Sequence, residues 1–113
     1  MSKYMLIYRD PAEPAAAPSP EEMQAFLAMW GEWFGKFGPA IVDGGDALEP
    51  GGRMLQPGGI VSDGPYVEAK EVVGGYSVVE AESFEKAVEI ARECPIAKVG
   101  GGIEIRKLAG YNA

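Results

Sequence analysis

The chain has 113 residues, 47% of them hydrophobic and 24% charged, a composition typical of a single folded domain over residues 1–113 and not of a disordered chain. Its formal net charge of −7 disfavours direct binding to nucleic acid or to an anionic membrane, because both require a cationic surface. One cysteine and no histidine exclude an internal disulfide and argue against a zinc site, so we expect neither a metal nor a cofactor.

The first residues contain a short apolar run that leads straight into charged residues. We therefore expect no signal peptide and no membrane span, and a cytoplasmic protein. The run itself, residues 4–8, predicts a buried strand with Tyr4, Leu6 and Tyr8 on one face. Four prolines in residues 10–20 then predict an extended surface loop.

A helix is predicted next, with Ser19 as N-cap, Pro20 in the first position and Glu22 completing a capping box. Gly38 and Pro39 end it. Six apolar residues recur at intervals of three and four, which predicts a stripe that packs on a sheet. They are Met23, Phe26, Leu27, Trp30, Phe34 and Phe37.

The middle of the chain predicts strands separated by glycine. Residues 41–48 form a strand that a glycine pair interrupts with a bulge or bend. Residues 53–55 and 60–62 flank the sequence QPGG, which predicts a small hairpin. A rigid Asp-Gly-Pro turn starts at Asp63, and a strand follows from Tyr76.

The end of the chain predicts one more helix and one more strand. Ser83 caps the helix, Cys94 and Pro95 end it, and residues 103–108 form the strand. The complete order predicts a ferredoxin-like βαββαβ α+β fold with an extra hairpin and both helices on one sheet face. Because the strands are apolar on both sides, we expect a homodimer whose sheets face each other around a central space.

Five segments carry a family resemblance: KYMLIYRD, SPEEMQAF, DGPY followed by EAKEVVGGY, ARECP and GGIEIRKL. In this order, over nearly the whole length, they resemble YCII-related proteins of the DGPF type. The resemblance implies a dimeric α+β barrel and a link to regulation by extracytoplasmic-function sigma factors. It also implies that some members are enzymes with an Asp–His pair in a cleft, one branch of which acts in the dechlorination of aromatic compounds.

Two departures from that pattern bear on the site. Tyr66 stands where the motif has phenylalanine, and the chain has no histidine, so only Asp63 of the Asp–His pair carries over. We predict a cleft at the open sheet face with Asp63 as a base, and with Tyr8, Tyr66, Lys70 and Arg106 as ligand-binding residues. Structural explanations compete with each role: Asp63 as a turn former, Lys70 as a solvated charge and Arg106 as an ion-pair partner.

Three functions follow as hypotheses. The favoured one is a non-catalytic homodimer that binds a small-molecule ligand or a regulatory partner. The first alternative is a lyase or isomerase that acts on a small aromatic acid with Asp63 and either Tyr66 or Arg106. The second is a purely structural dimer, which a cleft packed shut by Trp30, Trp33 or Met54 would favour.

Overall fold

The computed structural model describes residues 1–11, 16–64 and 70–111. The strands are β1 (Ser2–Pro11), β2 (Ile41–Ala47), β3 (Arg53–Leu55), β4 (Val61–Asp63), β5 (Glu71–Ala81) and β6 (Gly102–Lys107). The helices are α1 (Pro20–Phe37), α2 (Phe84–Arg92) and the short α3 (Pro95–Lys98). None of these helices combines the length and the apolar composition that crossing a membrane requires.

The main sheet has four strands in the order β2-β5-β1-β6, and each neighbouring pair is antiparallel. The connections through α1 and α2 each skip one strand, which is the split βαβ arrangement of ferredoxin-like folds. β3 and β4, which follow β2 and precede β5 in the sequence, form a separate two-stranded sheet. The predicted fold class is therefore confirmed, including the extra hairpin.

Helix α1 begins as the sequence predicts. The Ser19 hydroxyl accepts a hydrogen bond from the Glu22 backbone N–H at 3.1 Å, and the Glu22 carboxylate accepts one from the Ser19 N–H at 3.2 Å. The helix ends at Phe37, where a 3-10 turn over Gly38–Ala40 leads into β2. This local chemistry satisfies two backbone donors at the start of the helix.

The predicted stripe of α1 is partly wrong. Met23, Leu27 and Phe34 are 42%, 59% and 39% exposed, whereas Trp33, which lies outside the predicted stripe, is 2% exposed. The Trp33 indole N–H donates to the Ile90 carbonyl at 2.9 Å and fixes the rotation of the helix. The buried and half-buried apolar residues of the helix are therefore Phe26, Met29, Trp30, Trp33 and Phe37, three of which belong to the predicted stripe.

The core lies between the helices and one face of the sheet. It contains Leu6 and Val79 at its centre, together with Ala87 and Ala91 from α2. The one buried polar side chain described there, Ser77, accepts a hydrogen bond from the Tyr8 hydroxyl at 2.6 Å. Ser77 donates in turn to the Gly44 carbonyl at 2.8 Å, so a polar chain ties three strands together.

The opposite face of the sheet is open. Met5 and Ile7 of β1 and Tyr76 and Val78 of β5 lie there, half-buried, and the helices contact the other side. The molecule is 18 Å thick and 42 Å across in the other two directions. Its radius of gyration is 15.6 Å, against about 13 Å for a compact chain of this length. The expected second copy over this face stays a prediction.

The bulged edge strand β2 gives a stability prediction. Gly45 has φ of +71°, and a Cβ there would lie 1.7 Å from the Tyr76 carbonyl oxygen, a backbone atom that cannot move without breaking β2 pairing. We expect Gly45→Ala to lower the free energy of unfolding by about 1–3 kcal/mol or more. Gly35→Ala on exposed α1 is the control, and it should raise stability by about 0.5–1 kcal/mol. Equal effects in urea denaturation would contradict the strained geometry.

Candidate functional site

A bulge where β5 pairs with β1 positions one carboxylate. Tyr8 pairs with Gly75 and Arg9 with Val73, so Gly74 is an extra residue in β5. A Cβ on Gly74 would fall 1.8 Å from Oδ2 of Asp10. Because Gly74 has no side chain, the Asp10 carboxylate can lie over this position of the strand. Bulges often change the direction of side chains at functional sites.

Beside this bulge lies a groove of about 510 Å³ between the end of the main sheet and the hairpin. Its walls come from the end of β1, the loop after β2, β3 and the start of β5. Six side chains make most of the lining apolar, namely Pro11, Leu48, Pro50, Met54, Val72 and Val73. Asp10, Glu49 and Arg53 supply the charged groups.

The loop between β2 and β3 forms one wall of the groove. Gly51 and Gly52 have φ of +86° and +145°, the left-handed region that glycine adopts without strain, and they turn the chain from β2 into β3. The Gly64 N–H donates to the Gly52 carbonyl at 3.2 Å, and the Leu48 N–H donates to the Gly74 carbonyl at 2.8 Å. These bonds tie the loop to both the hairpin and the sheet.

The groove has an acidic character because its one cation is already engaged. The Arg53 guanidinium lies 3.4 Å from the Asp63 carboxylate and donates to the Gly52 carbonyl at 2.8 Å. Asp10 and Glu49 make no ion pair with any residue that the structure describes. Two carboxylates thus face the groove without a compensating charge from the described residues.

The structure does not bring the predicted site residues together. Asp63 ends β4 with a side chain that is 92% exposed, and Lys70 lies exposed just before β5. Arg106 is on the open sheet face opposite Met5 and bonds Glu104 at 3.3 Å. At about 3.3 Å per residue, Met5 is roughly 17 Å along β1 from Asp10. Tyr66 lies outside the described residues.

The predicted place of Tyr8 at the open face is wrong. Its side chain is 5% exposed on the helix-covered face, since it shares the alternation of Tyr4 and Leu6. Its ring packs edge to face on Trp30 at 5.6 Å between centroids. Burial raises the pKa of the Tyr8 phenol far above its usual range, and burial likewise raises the pKa of the Cys94 thiol. Both groups stay neutral at pH 7, so their role is in the core.

Sequence reasoning misses Asp10 and Glu49, because it assigns Asp10 to a loop and gives Glu49 no role. The glycine pair at positions 74 and 75 was the available signal, since glycine inside a strand often marks a bulge or a close approach. Among residues 1–11, 16–64 and 70–111, no group of three or more His, Cys, Asp or Glu side chains is arranged to hold a metal ion.

Comparison with known proteins gives three findings. The model of the YCII-related domain matches residues 3–110. An uncharacterized protein of Rhizobium meliloti (strain 1021), R00369, is 38% identical over 53 residues, which are 46% of this chain and 43% of that protein. The matched stretch is therefore less than half of that relative's length.

A solved structure is also similar. It is the 5-chloro-2-hydroxyhydroquinone dehydrochlorinase from Burkholderia phenoliruptrix AC1100 in complex with 2,5-dihydroxybenzoquinone, with 18% identity and a TM-score of 0.44. The similarity covers 93% of this chain and 92% of that one.

Proposed function

The chain belongs to the YCII-related domain family, and on that premise we propose that it is a homodimer that binds a small molecule in the groove beside Asp10. The observation that carries this proposal is the Asp10 carboxylate held over Gly74 at the edge of a groove of about 510 Å³. Ligand sites commonly measure about 300–1,000 Å³ and combine apolar walls with a few placed polar groups. The groove has both properties.

The charge of the groove selects the chemistry of the ligand. Ionised carboxylates only accept hydrogen bonds, so Asp10 and Glu49 favour hydroxyl or ammonium groups. The apolar walls favour a hydrophobic body that carries those groups. An anionic ligand is disfavoured because Arg53 is already paired with Asp63. This differs from the small aromatic acid considered from the sequence.

The catalytic alternative has weaker support. It requires Asp63 to act together with Tyr66 or Arg106, but Arg106 lies on the open sheet face and bonds Glu104. The Asp63 side chain is 92% exposed and paired with Arg53, so it does not lie with Arg106 in one cleft. The link to sigma-factor regulation stays a prediction from the family resemblance.

The charge pattern of the open sheet face supports the homodimer. Lys3 lies opposite Glu80, and the Glu104 carboxylate lies 3.9 Å from Arg9 and 3.3 Å from Arg106. With Asp43 and Asp46, which pair with Val78 and Tyr76, this face carries charges of both signs around an apolar centre. Opposite charges of two copies can therefore pair across this face, and burial of the apolar centre would then stabilise the pair.

A binding experiment tests the groove. We would screen the protein by thermal shift against small amines, phenols and polyols, with benzoates as the anionic counterparts, and measure the affinity of hits by calorimetry. We expect stabilisation by hydroxyl or ammonium compounds and not by benzoates. Asp10→Asn should weaken binding about tenfold to a hundredfold, because it removes a charge-assisted hydrogen bond worth about 1.5–3 kcal/mol.

The matched control is Glu82→Gln, which removes the same charge from an exposed position outside the groove. It should leave the affinity unchanged. Hits that bind Asp10→Asn as tightly as the wild type would place the ligand elsewhere. A screen in which only the anions stabilise the protein would contradict the proposed ligand chemistry.

Gly74→Ala should separate binding from stability. Its Cβ would meet the end of the Asp10 side chain, which can rotate away without moving the backbone. We therefore expect a change in unfolding free energy of less than about 1 kcal/mol, together with a loss of affinity similar to that of Asp10→Asn. Retained affinity would show that the carboxylate need not lie over the bulge.

A further inference from the structure

The β3–β4 hairpin presents one face that the described residues leave uncovered. Cross-strand pairing puts Leu55 beside Val61 and Arg53 beside Asp63 on the same side. We call this side the outer hairpin face. Leu55 and Val61 are 71% and 60% exposed. The opposite side carries Met54 and Ser62, which are part-buried, and Met54 lines the groove.

In a single chain, the exposed apolar side chains of the outer hairpin face do not stabilise the hairpin. Its two strands of three residues pair with each other and not with the main sheet. An isolated two-stranded ribbon is at best marginally stable in water and needs packing on another surface. Two large apolar side chains paired on one exposed face of such a ribbon, Leu55 and Val61, therefore mark an interaction surface.

Charge indicates what covers the outer hairpin face. Arg53 and Asp63 lie 3.4 Å apart and balance each other, although the chain as a whole carries −7. A neutral face attracts neither a strongly acidic nor a strongly basic partner. A face with one charge of each sign is, however, complementary to its own copy about a two-fold axis, because each cation can meet the anion of the other copy.

Interface size points to the same partner. The main sheet has four strands, and its open face has an outline of about 500 Å² at ~4.8 Å between strands and ~3.3 Å per residue. Stable dimers bury about 800 Å² per partner. The open sheet face alone falls short of this area, and the outer hairpin faces would enlarge the interface with apolar area.

We propose that the outer hairpin face packs against the same face of a second copy, so that Arg53 of each copy meets Asp63 of the other. This inference rests on the proposed homodimer and assigns its hairpins to the interface. Arg53 borders the groove as well as this face, so ligand binding is tested separately by Asp10→Asn, which lies outside the hairpin.

A charge-swap experiment tests the contact between copies. Arg53→Glu and Asp63→Lys each bring like charges together across the axis, so each variant should dimerise at least tenfold more weakly than the wild type. When the two variants are mixed, the opposite charges meet again, and native mass spectrometry with one variant ¹⁵N-labelled should show mostly mixed dimers. Any effect within one hairpin is the same in every dimer and cannot change this ratio.

The apolar contact has its own test. Leu55→Ser combined with Val61→Ser should raise the dimer dissociation constant at least tenfold in sedimentation equilibrium. Leu27→Ser is the control, because Leu27 is 59% exposed on α1, and it should have no effect. Random pairing in the mixture, with half of the dimers mixed, would overturn the hairpin contact while leaving the homodimer in place. A wild-type monomer at all concentrations would overturn both.

Discussion

Replacing Trp33 with alanine is expected to lower the free energy of unfolding by about 3–5 kcal/mol, the range for large aromatic residues in protein cores. Trp33 is 2% exposed, its ring packs on Trp30 at 5.6 Å between centroids, and its N–H bonds the Ile90 carbonyl. The substitution leaves a cavity at the junction of α1 and α2 and removes one of the two donors to the Ile90 carbonyl, which also accepts from the Glu93 N–H at 3.3 Å. Urea denaturation, monitored by circular dichroism, measures the decrease in the free energy of unfolding.

Two variants show where the loss comes from. Trp33→Phe keeps most of the ring but removes the indole donor to the Ile90 carbonyl, which keeps its bond from the Glu93 N–H, so it should cost about 0.5–1.5 kcal/mol. Leu27 belongs to the predicted stripe of α1 but is 59% exposed. Leu27→Ala should therefore lower the free energy of unfolding by less than about 1 kcal/mol. If Leu27→Ala cost as much as Trp33→Ala, the helix rotation described above would be wrong.

The second large effect concerns the proposed dimer. Ile7→Lys is expected to raise the dissociation constant by more than a thousandfold, because burying a lysine costs several kcal/mol of desolvation even beside a carboxylate, and the two-fold axis places one in each copy. The single chain should still fold, since position 7 lies opposite Glu104 in β6 and the lysine can pair with it. Sedimentation velocity at micromolar concentration gives the measurement.

Leu27→Lys introduces the same charge on the helical side of the molecule and serves as the control. It should sediment like the wild type. If Ile7→Lys also sedimented as an intact dimer, the open sheet face would not be the surface through which the copies meet.

Much of the fold is predictable because its signals are local. The capping box of Ser19 and Glu22, the alternation in β1 and the glycine-rich turn of the hairpin each involve residues close in sequence. The rotation of α1 is different. The predicted and observed stripes share most of their members. The burial of Trp33 in place of Leu27 depends on packing against α2, including the hydrogen bond from Trp33 to the Ile90 carbonyl, which is distant in the chain.

The site is harder to predict because it depends on register. Asp10 meets Gly74 only through the bulge between β1 and β5, and no local pattern specifies which residue is extra. The alternation of β1 assigns Tyr8 to the same face as Leu6. Arg106 pairs with Met5 and therefore lies on the other face of the sheet, and only this pairing shows that Tyr8 and Arg106 are on different faces. Of the Asp-Gly-Pro turn, Gly64 lines the groove and Asp63 does not.

The most direct test of the binding groove is a titration of the ¹⁵N-labelled protein with a hydroxyl or ammonium compound from the screen, followed by ¹H–¹⁵N correlation spectra. If the compound binds in the groove, we expect the largest chemical-shift changes at the amides of Gly51, Gly52 and Gly74. Asp10→Asn should reduce these changes. Shifts centred instead on the open sheet face around Ile7 and Arg106, with the groove amides unchanged, would contradict binding in the groove.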